Sequence, residues 1–102
     1  MKTPLTAPEV TELLATIHDP EIGLNIVDLG LVYRLEVTAE AIDLRLLFTA
    51  QACPLRQLIM QWCEELLTAR AAQPVRVSVE EETPWTPDRL TPNGREALGY
   101  RL

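Results

Sequence analysis

The chain is poor in the residues that build self-contained chemical sites. Its 102 residues include two cysteines, Cys53 and Cys63, and a single histidine, His18. A four-cysteine or two-cysteine, two-histidine zinc site cannot be assembled from one copy. Nor can one copy supply four thiolates to an iron–sulfur centre. Ser–His–Asp chemistry would have to use His18, which precedes Asp19-Pro20 in an expected turn. There is no G-x-G-x-x-G, Walker loop or G-x-S-x-G, so dinucleotide, NTPase and α/β-hydrolase readings lack their residues. Basic residues are also scarce, 9 against 15 acidic, for a net charge of −6. Nucleic acid and anionic membrane are therefore poor partners. No apolar run is long enough to cross a bilayer. Met1-Lys2-Thr3-Pro4 opens no apolar run of signal-peptide type, so a cytoplasmic location with reduced thiols is expected. Metal or thiol chemistry would need a partner, a second copy or a small-molecule ligand.

What is present reads as one globular domain over residues 1–102, with 47% apolar and 24% charged residues. A chain of this size buries roughly 60–70% of its unfolded surface, enough for one two-layer core. No repeat, low-complexity tract or linker divides it. Thr6 and Glu9 form a capping box, and Pro8 suits a first helical turn. Val10, Leu13, Leu14 and Ile17 share a helical face, and the helix should stop before Pro20. Residues 19–30 read as an ordered loop of acids and amides.

Leu31, Tyr33, Leu35 and Val37 alternate, as do Ile42, Leu44, Leu46 and Phe48, giving a hairpin around Ala39-Glu40. Pro54 to about Ala72 is the longest helix expected, with Leu55, Leu58, Ile59, Trp62 and Leu66 as its apolar stripe. Val75, Val77 and Val79 mark a third strand. Thr91-Pro92 starts a last helix that Leu98-Gly99 ends. The order α-β-β-α-β-α, with a right-handed crossover, predicts an α+β two-layer sandwich: a three-stranded sheet with helices on one face. The uncovered face and short edges suit pairing with a second copy.

Cys53 is the most informative position. It precedes Pro54 at the start of a long helix, where unpaired N–H groups and the helix dipole favour a thiolate. A buried cysteine acting as a small hydrophobe is the other reading. Cys63 would lie about 280° around the same helix and roughly 15 Å along it, which excludes a disulfide with Cys53 and makes it a packing residue. Asp19, Glu21 and Asp28 could bind a hard cation or do acid–base work, although such groups more commonly cap turns. His18 reads as a helix C-terminal residue, and Glu80-Glu81-Glu82 as a solvated strand end. Trp85, between prolines, is a hydrophobic plug or an exposed contact, the plug being the commoner use.

Three segments, in matching order and spacing, carry a family resemblance. They are Asp19-Pro20-Glu21-Ile22-Gly23 running to Asn25-Ile26-Val27-Asp28-Leu29-Gly30-Leu31-Val32-Tyr33; Thr49-x-x-x-Cys53-Pro54; and Pro84-Trp85-Thr86-Pro87-Asp88-Arg89-Leu90 with Ala97-Leu98-Gly99. The chain resembles the iron–sulfur cluster assembly domain superfamily. The nearest branch holds SufT-type proteins, the PaaD subunit of phenylacetate degradation and the eukaryotic cytosolic iron–sulfur targeting component. Ala52 stands where the family often has glycine, and Thr83-Pro84 where Asp-Pro or Pro-Pro is common. The zinc-ligand cysteines of PaaD-type tails are missing.

The resemblance implies a carrier, adaptor or targeting factor in iron–sulfur maturation, with assembly machinery or client apoproteins as partners and no organic substrate turned over. It makes Cys53 the main candidate, shaped by Thr49, with Asp19, Glu21 and Asp28 second. A labile cluster or iron, never permanently held, would be shared between Cys53 and a second copy, a partner or a small thiol. A PaaD-like oxygenase accessory, and an adaptor in which Cys53 is structural, are the alternative expectations.

Overall fold

The computed structural model describes residues 2–49 and 55–99. Helix α1, Ala7–Leu14, starts at the expected capping box: the Thr6 hydroxyl accepts from the Glu9 backbone N–H, and the Glu9 carboxylate accepts from the Thr6 N–H. The helix ends sooner than its apolar periodicity suggests. Thr16 and Ile17 donate to the carbonyls of Leu13 and Leu14, a tighter turn that carries Ile17 into the core without extending the α-helix. His18 therefore lies beyond the helix, exposed, in a short bridge with Asn25, and does not cap the helix dipole.

Strand β1 is Val32–Val37 and β2 is Ile42–Leu46, antiparallel. Helix α2, Arg56–Arg70, crosses to β3, Val75–Val79, which pairs parallel to β2. The sheet order is β1-β2-β3. The parallel pair requires a long crossover, and α2 supplies it. A 3₁₀ turn, Pro87–Arg89, leads to α3, Pro92–Leu98, whose expected N-cap Thr91 and left-handed Gly99 are both in place. The α+β order α-β-β-α-β-α is thus as the sequence implied. Among the described residues no helix is long and apolar enough to cross a membrane.

The buried face of α2 is Ile59, Cys63 and Leu67, with Trp62 and Leu66 only partly buried. The stripe is thus turned toward Cys63 relative to the hydrophobic pattern. It packs with Val10, Leu14, Ile42, Leu44 and Leu46 in one core. The opposite sheet face carries Arg34, Glu36, Asp43, Arg45 and Ser78, so the helices cover one side only. The strict alternation expected for β1 fails at Tyr33. A register shift between Val32 and Arg34 turns its ring outward, 39% exposed, beneath the Arg89 guanidinium.

Two long-range clamps close the domain. Gln73 is buried; its amide nitrogen donates to the carbonyls of Leu5 and Thr38, and its oxygen accepts from the Leu5 N–H. This ties the N-terminal segment and the hairpin turn to the entrance of β3. At the other end, Arg89 Nε donates to the Gly30 carbonyl at 2.9 Å and a terminal nitrogen reaches the Val32 carbonyl at 3.3 Å. Gly30 has φ +80°, and a Cβ there would overlap the Arg89 carbonyl oxygen. Backbone strain and a collision with main chain therefore coincide. Gly30→Ala should cost at least about 2 kcal/mol of unfolding free energy. Urea denaturation would show this as a lower midpoint; an unchanged midpoint would refute the close approach.

Candidate functional site

The acids of the first motif are used to shape their own loop. Asp19 is 5% exposed, and its Oδ1 accepts from the backbone N–H groups of Glu21 and Ile22 at 2.9 and 3.1 Å. That is a side-chain-capped turn. Glu21 is exposed, beyond the turn Asp19 caps. Asp28 is the loop's fastening point. Its Oδ1 accepts from the Thr91 hydroxyl at 2.7 Å, and its Oδ2 accepts from the amides of Asn25 at 2.8 Å and Asn93 at 2.7 Å. The Asp28 carbonyl also accepts the Thr91 N–H. Thr91 in turn caps α3 through the Gly94 N–H. Among the described residues, no group of three His, Cys, Asp or Glu side chains is arranged to hold a metal ion.

The second motif lies at the far end of β2. Past Leu46 the chain leaves the sheet with Leu47 and Phe48 both buried, and Thr49 exposed. Residues 50–54, Cys53 among them, lie outside the described residues. The chain is described again at Leu55, the α2 N-cap, which makes no side-chain capping bond. Thr49 and Arg56, on either side of that segment, line one pocket of about 230 Å³ with Phe48, Glu81, Pro84 and Trp85. Asp19, Glu21 and Asp28 do not line it. The parallel pairing of β2 and β3 brings the stretches after both strands to this one end.

The pocket combines apolar walls with an ion pair. The Arg56 guanidinium lies 5.7 Å from the Phe48 ring centroid and 2.6 Å from Glu81 Oε1. Glu80 is paired too, at 3.0 Å from Arg45, and accepts the Thr83 hydroxyl at 2.8 Å. The acidic triplet is therefore not merely a solvated strand end. Trp85 fills the plug role: it packs on the core, and its indole N–H donates to the Leu29 carbonyl at 2.8 Å. The third motif thereby joins the first to the pocket wall. Neither Arg56 nor Glu80 could be singled out from the linear sequence, because the pairs that define them span separate elements. The spacing of the Thr49 motif and the Glu triplet at the ends of two adjacent strands was the available signal.

Cys63 is fully buried among core side chains, and burial pushes its thiol up to about 12. It is a packing residue and stays a neutral thiol at physiological pH.

The Asp28 carboxyl is held below the usual carboxylate range, first by the Thr91 hydroxyl, then by the amides of Asn25 and Asn93, against a smaller opposing effect of burial. A depressed folded-state value stabilises the fold above the unfolded value near 3.9, and that contribution is lost as pH falls through the folded value. Asp28→Asn should cost about 1 kcal/mol or more at pH 7, since its new amide cannot accept from Asn25 and Asn93. The deficit should begin to shrink below about pH 4, where the unfolded chain's carboxyl protonates, and should go on shrinking until the folded carboxyl is protonated at lower pH. Urea melts of both proteins at neutral and acid pH would measure it, and a deficit that does not depend on pH would contradict the fastening role.

Comparison with known proteins places these features in a family. The family model described as "Iron-sulfur cluster assembly protein" matches residues 8–80. The Fe-S protein maturation auxiliary factor SufT of Staphylococcus aureus is 35% identical, over 81% of this chain and 97% of its own. An iron-sulfur cluster carrier protein of Synechocystis is 33% identical over 78% of this chain, which spans only 23% of that relative. An Escherichia coli protein provisionally named as a component of 1,2-phenylacetyl-CoA epoxidase is 34% identical over 88% of this chain and 55% of its own. Among solved structures, a conserved hypothetical protein from Thermotoga maritima superposes with a TM-score of 0.80 at 32% identity, covering 97% of this chain and 99% of that one. The chain belongs to the iron–sulfur cluster assembly protein family.

Proposed function

We propose that this protein is a maturation factor for iron–sulfur proteins in which Cys53 is the working thiol. The observation that carries the reading is positional. The family match spans Thr49-x-x-x-Cys53-Pro54, and the residues on either side of this segment line one pocket. One such thiol per chain cannot hold a cluster alone. The remaining ligands would come from a partner, a small thiol or a second copy. A centre so held leaves by thiolate exchange, which suits delivery to a client apoprotein and not storage. The cluster, or iron, is then cargo. The acids Asp19 and Asp28 shape the loop in this reading, and no organic substrate is turned over.

The oxygenase-accessory reading has one observation in its favour, the 34% identity to the epoxidase component. Against it stands the match to SufT, which this chain covers over 97% of its length.

Anaerobic reconstitution with iron and sulfide separates carriage from a purely adaptor role. Wild type should develop visible thiolate-to-iron absorbance, and Cys53→Ser should lose most of it while keeping its fold. Equal and negligible absorbance in both would end the carriage reading. Recovery of client apoproteins at wild-type levels by Cys53→Ser would then assign the protein as an adaptor.

A further inference from the structure

Strand β1 carries a charge pattern that its own sheet does not satisfy. It lies at the margin of the order β1-β2-β3, and among the described residues no strand or loop bonds to its outer side between Tyr33 and Val37. The Thr38 N–H donates to the Ala41 carbonyl where the hairpin closes. Antiparallel alternation from that pair turns the backbone groups of Arg34 and Glu36 toward β2. Those of Tyr33, Leu35 and Val37 therefore point away from the sheet. Across the ladder the charges face their own sign: Arg34 lies opposite Arg45, and Glu36 opposite Asp43. Like charges directly opposite each other destabilise a sheet. Arg34 and Glu36 approach each other only to 3.7 Å, and their side chains are 67% and 62% exposed.

We infer that this edge is an interface between two copies of the chain, paired antiparallel about a two-fold axis at Leu35. The row Arg34-Leu35-Glu36 is complementary to its own reverse. With Leu35 facing Leu35, Arg34 of each copy lies opposite Glu36 of the other, so each charge gains a neighbour of opposite sign. The backbone agrees with that register. The outward N–H and carbonyl groups of Tyr33, Leu35 and Val37 all meet groups they can bond. Arg34 and Glu36 then occupy the pairs without hydrogen bonds, where side chains lie closest. Tyr33, 39% exposed, falls opposite Val37, an aromatic–β-branched pair. Slipping the second copy by two residues sets Arg34 against Arg34 or Glu36 against Glu36, so the charges select one register. The other edge of the sheet, β3, has Arg76 as its one charged residue and offers no such complement. The resulting contact is isologous, and it does not depend on the role of Cys53.

Sedimentation equilibrium of the full chain tests the pairing. Wild type should show a monomer–dimer equilibrium that shifts with concentration. Arg34→Glu makes the row acidic and Glu36→Arg makes it basic, so each variant should self-associate about ten-fold more weakly or worse. An equimolar mixture of the two variants should recover the dimer, because an acidic row then meets a basic one. The double exchange Arg34→Glu/Glu36→Arg should associate as wild type does. Glu36→Arg also separates local pairing from overall repulsion. It brings the net charge of −6 nearer to zero, which would tighten an association governed by repulsion alone.

Neither single variant should weaken the fold, since each replaces a like-charge contact with Arg45 or Asp43 by an opposite one. A wild type that stays monomeric up to about 1 mM would overturn the proposal. So would a single variant that dimerises as well as wild type, or a mixture that stays monomeric. Should one single variant unfold, the other and the double exchange still decide the matter: the first must lose the dimer and the second must keep it. Iron plays no part in this measurement, so its outcome and that of the Cys53→Ser reconstitution are separate.

Discussion

The structure depends on one clasp, in which the C-terminal segment grips the backbone of residues 28–32. Trp85 donates to the Leu29 carbonyl, Arg89 to those of Gly30 and Val32, and Thr91 to Asp28. A loop has no ladder to satisfy its carbonyls, and a buried carbonyl without a donor is costly. Here the donors come from a proline-rich segment that pairs with no strand, leaving its side chains and N–H groups available. The clasp also explains its own composition. Gly30 admits the Arg89 backbone where a Cβ would collide, and Gly94 does the same for the Asp28 carbonyl. Once the loop is gripped, Leu29 and Leu31 are fully buried and β1 can begin at Val32.

Of the two cysteines, Cys63 is the one among the described residues, and its position decides its chemistry. Cys63 is surrounded by aliphatic groups, and the cost of charging it there keeps it a thiol. Cys53 lies outside the described residues, in sequence between the end of β2 and the start of α2, and the residues described on either side of that segment line a pocket with Phe48 and Trp85. A chain short of metal ligands suits the proposed role, in which ligation would be shared and temporary.

Much of this was legible in the linear sequence because it is governed by local rules. The Thr6–Glu9 box, the Thr91 cap and the alternation of Val75, Val77 and Val79 need only near neighbours, and all are present as expected. The misread features were those decided at a distance. Tyr33 has the right parity for the inward face, but a bulge beside Arg89 turns it out. Glu80 looks solvated until β2 brings Arg45 alongside it. Helix α1 gives way to a tighter turn after Leu14, well before Pro20. Asp19 and Asp28 were visible as an acidic loop. Their hydrogen-bond partners, which make them fasteners, were not, since Thr91 is 63 positions from Asp28.

That separation has a consequence in time. Contacts between remote segments form only after the intervening chain has been ordered, and the entropy of closing the loop is met late. The grip on residues 28–32 comes from Trp85, Arg89, Thr91 and Asn93, all synthesised after the sheet and the long helix. A nascent chain with those elements already in place would still hold this loop ungripped and the pocket without its Trp85 wall. The domain thus completes this loop and the pocket wall last, after the sheet and the long helix.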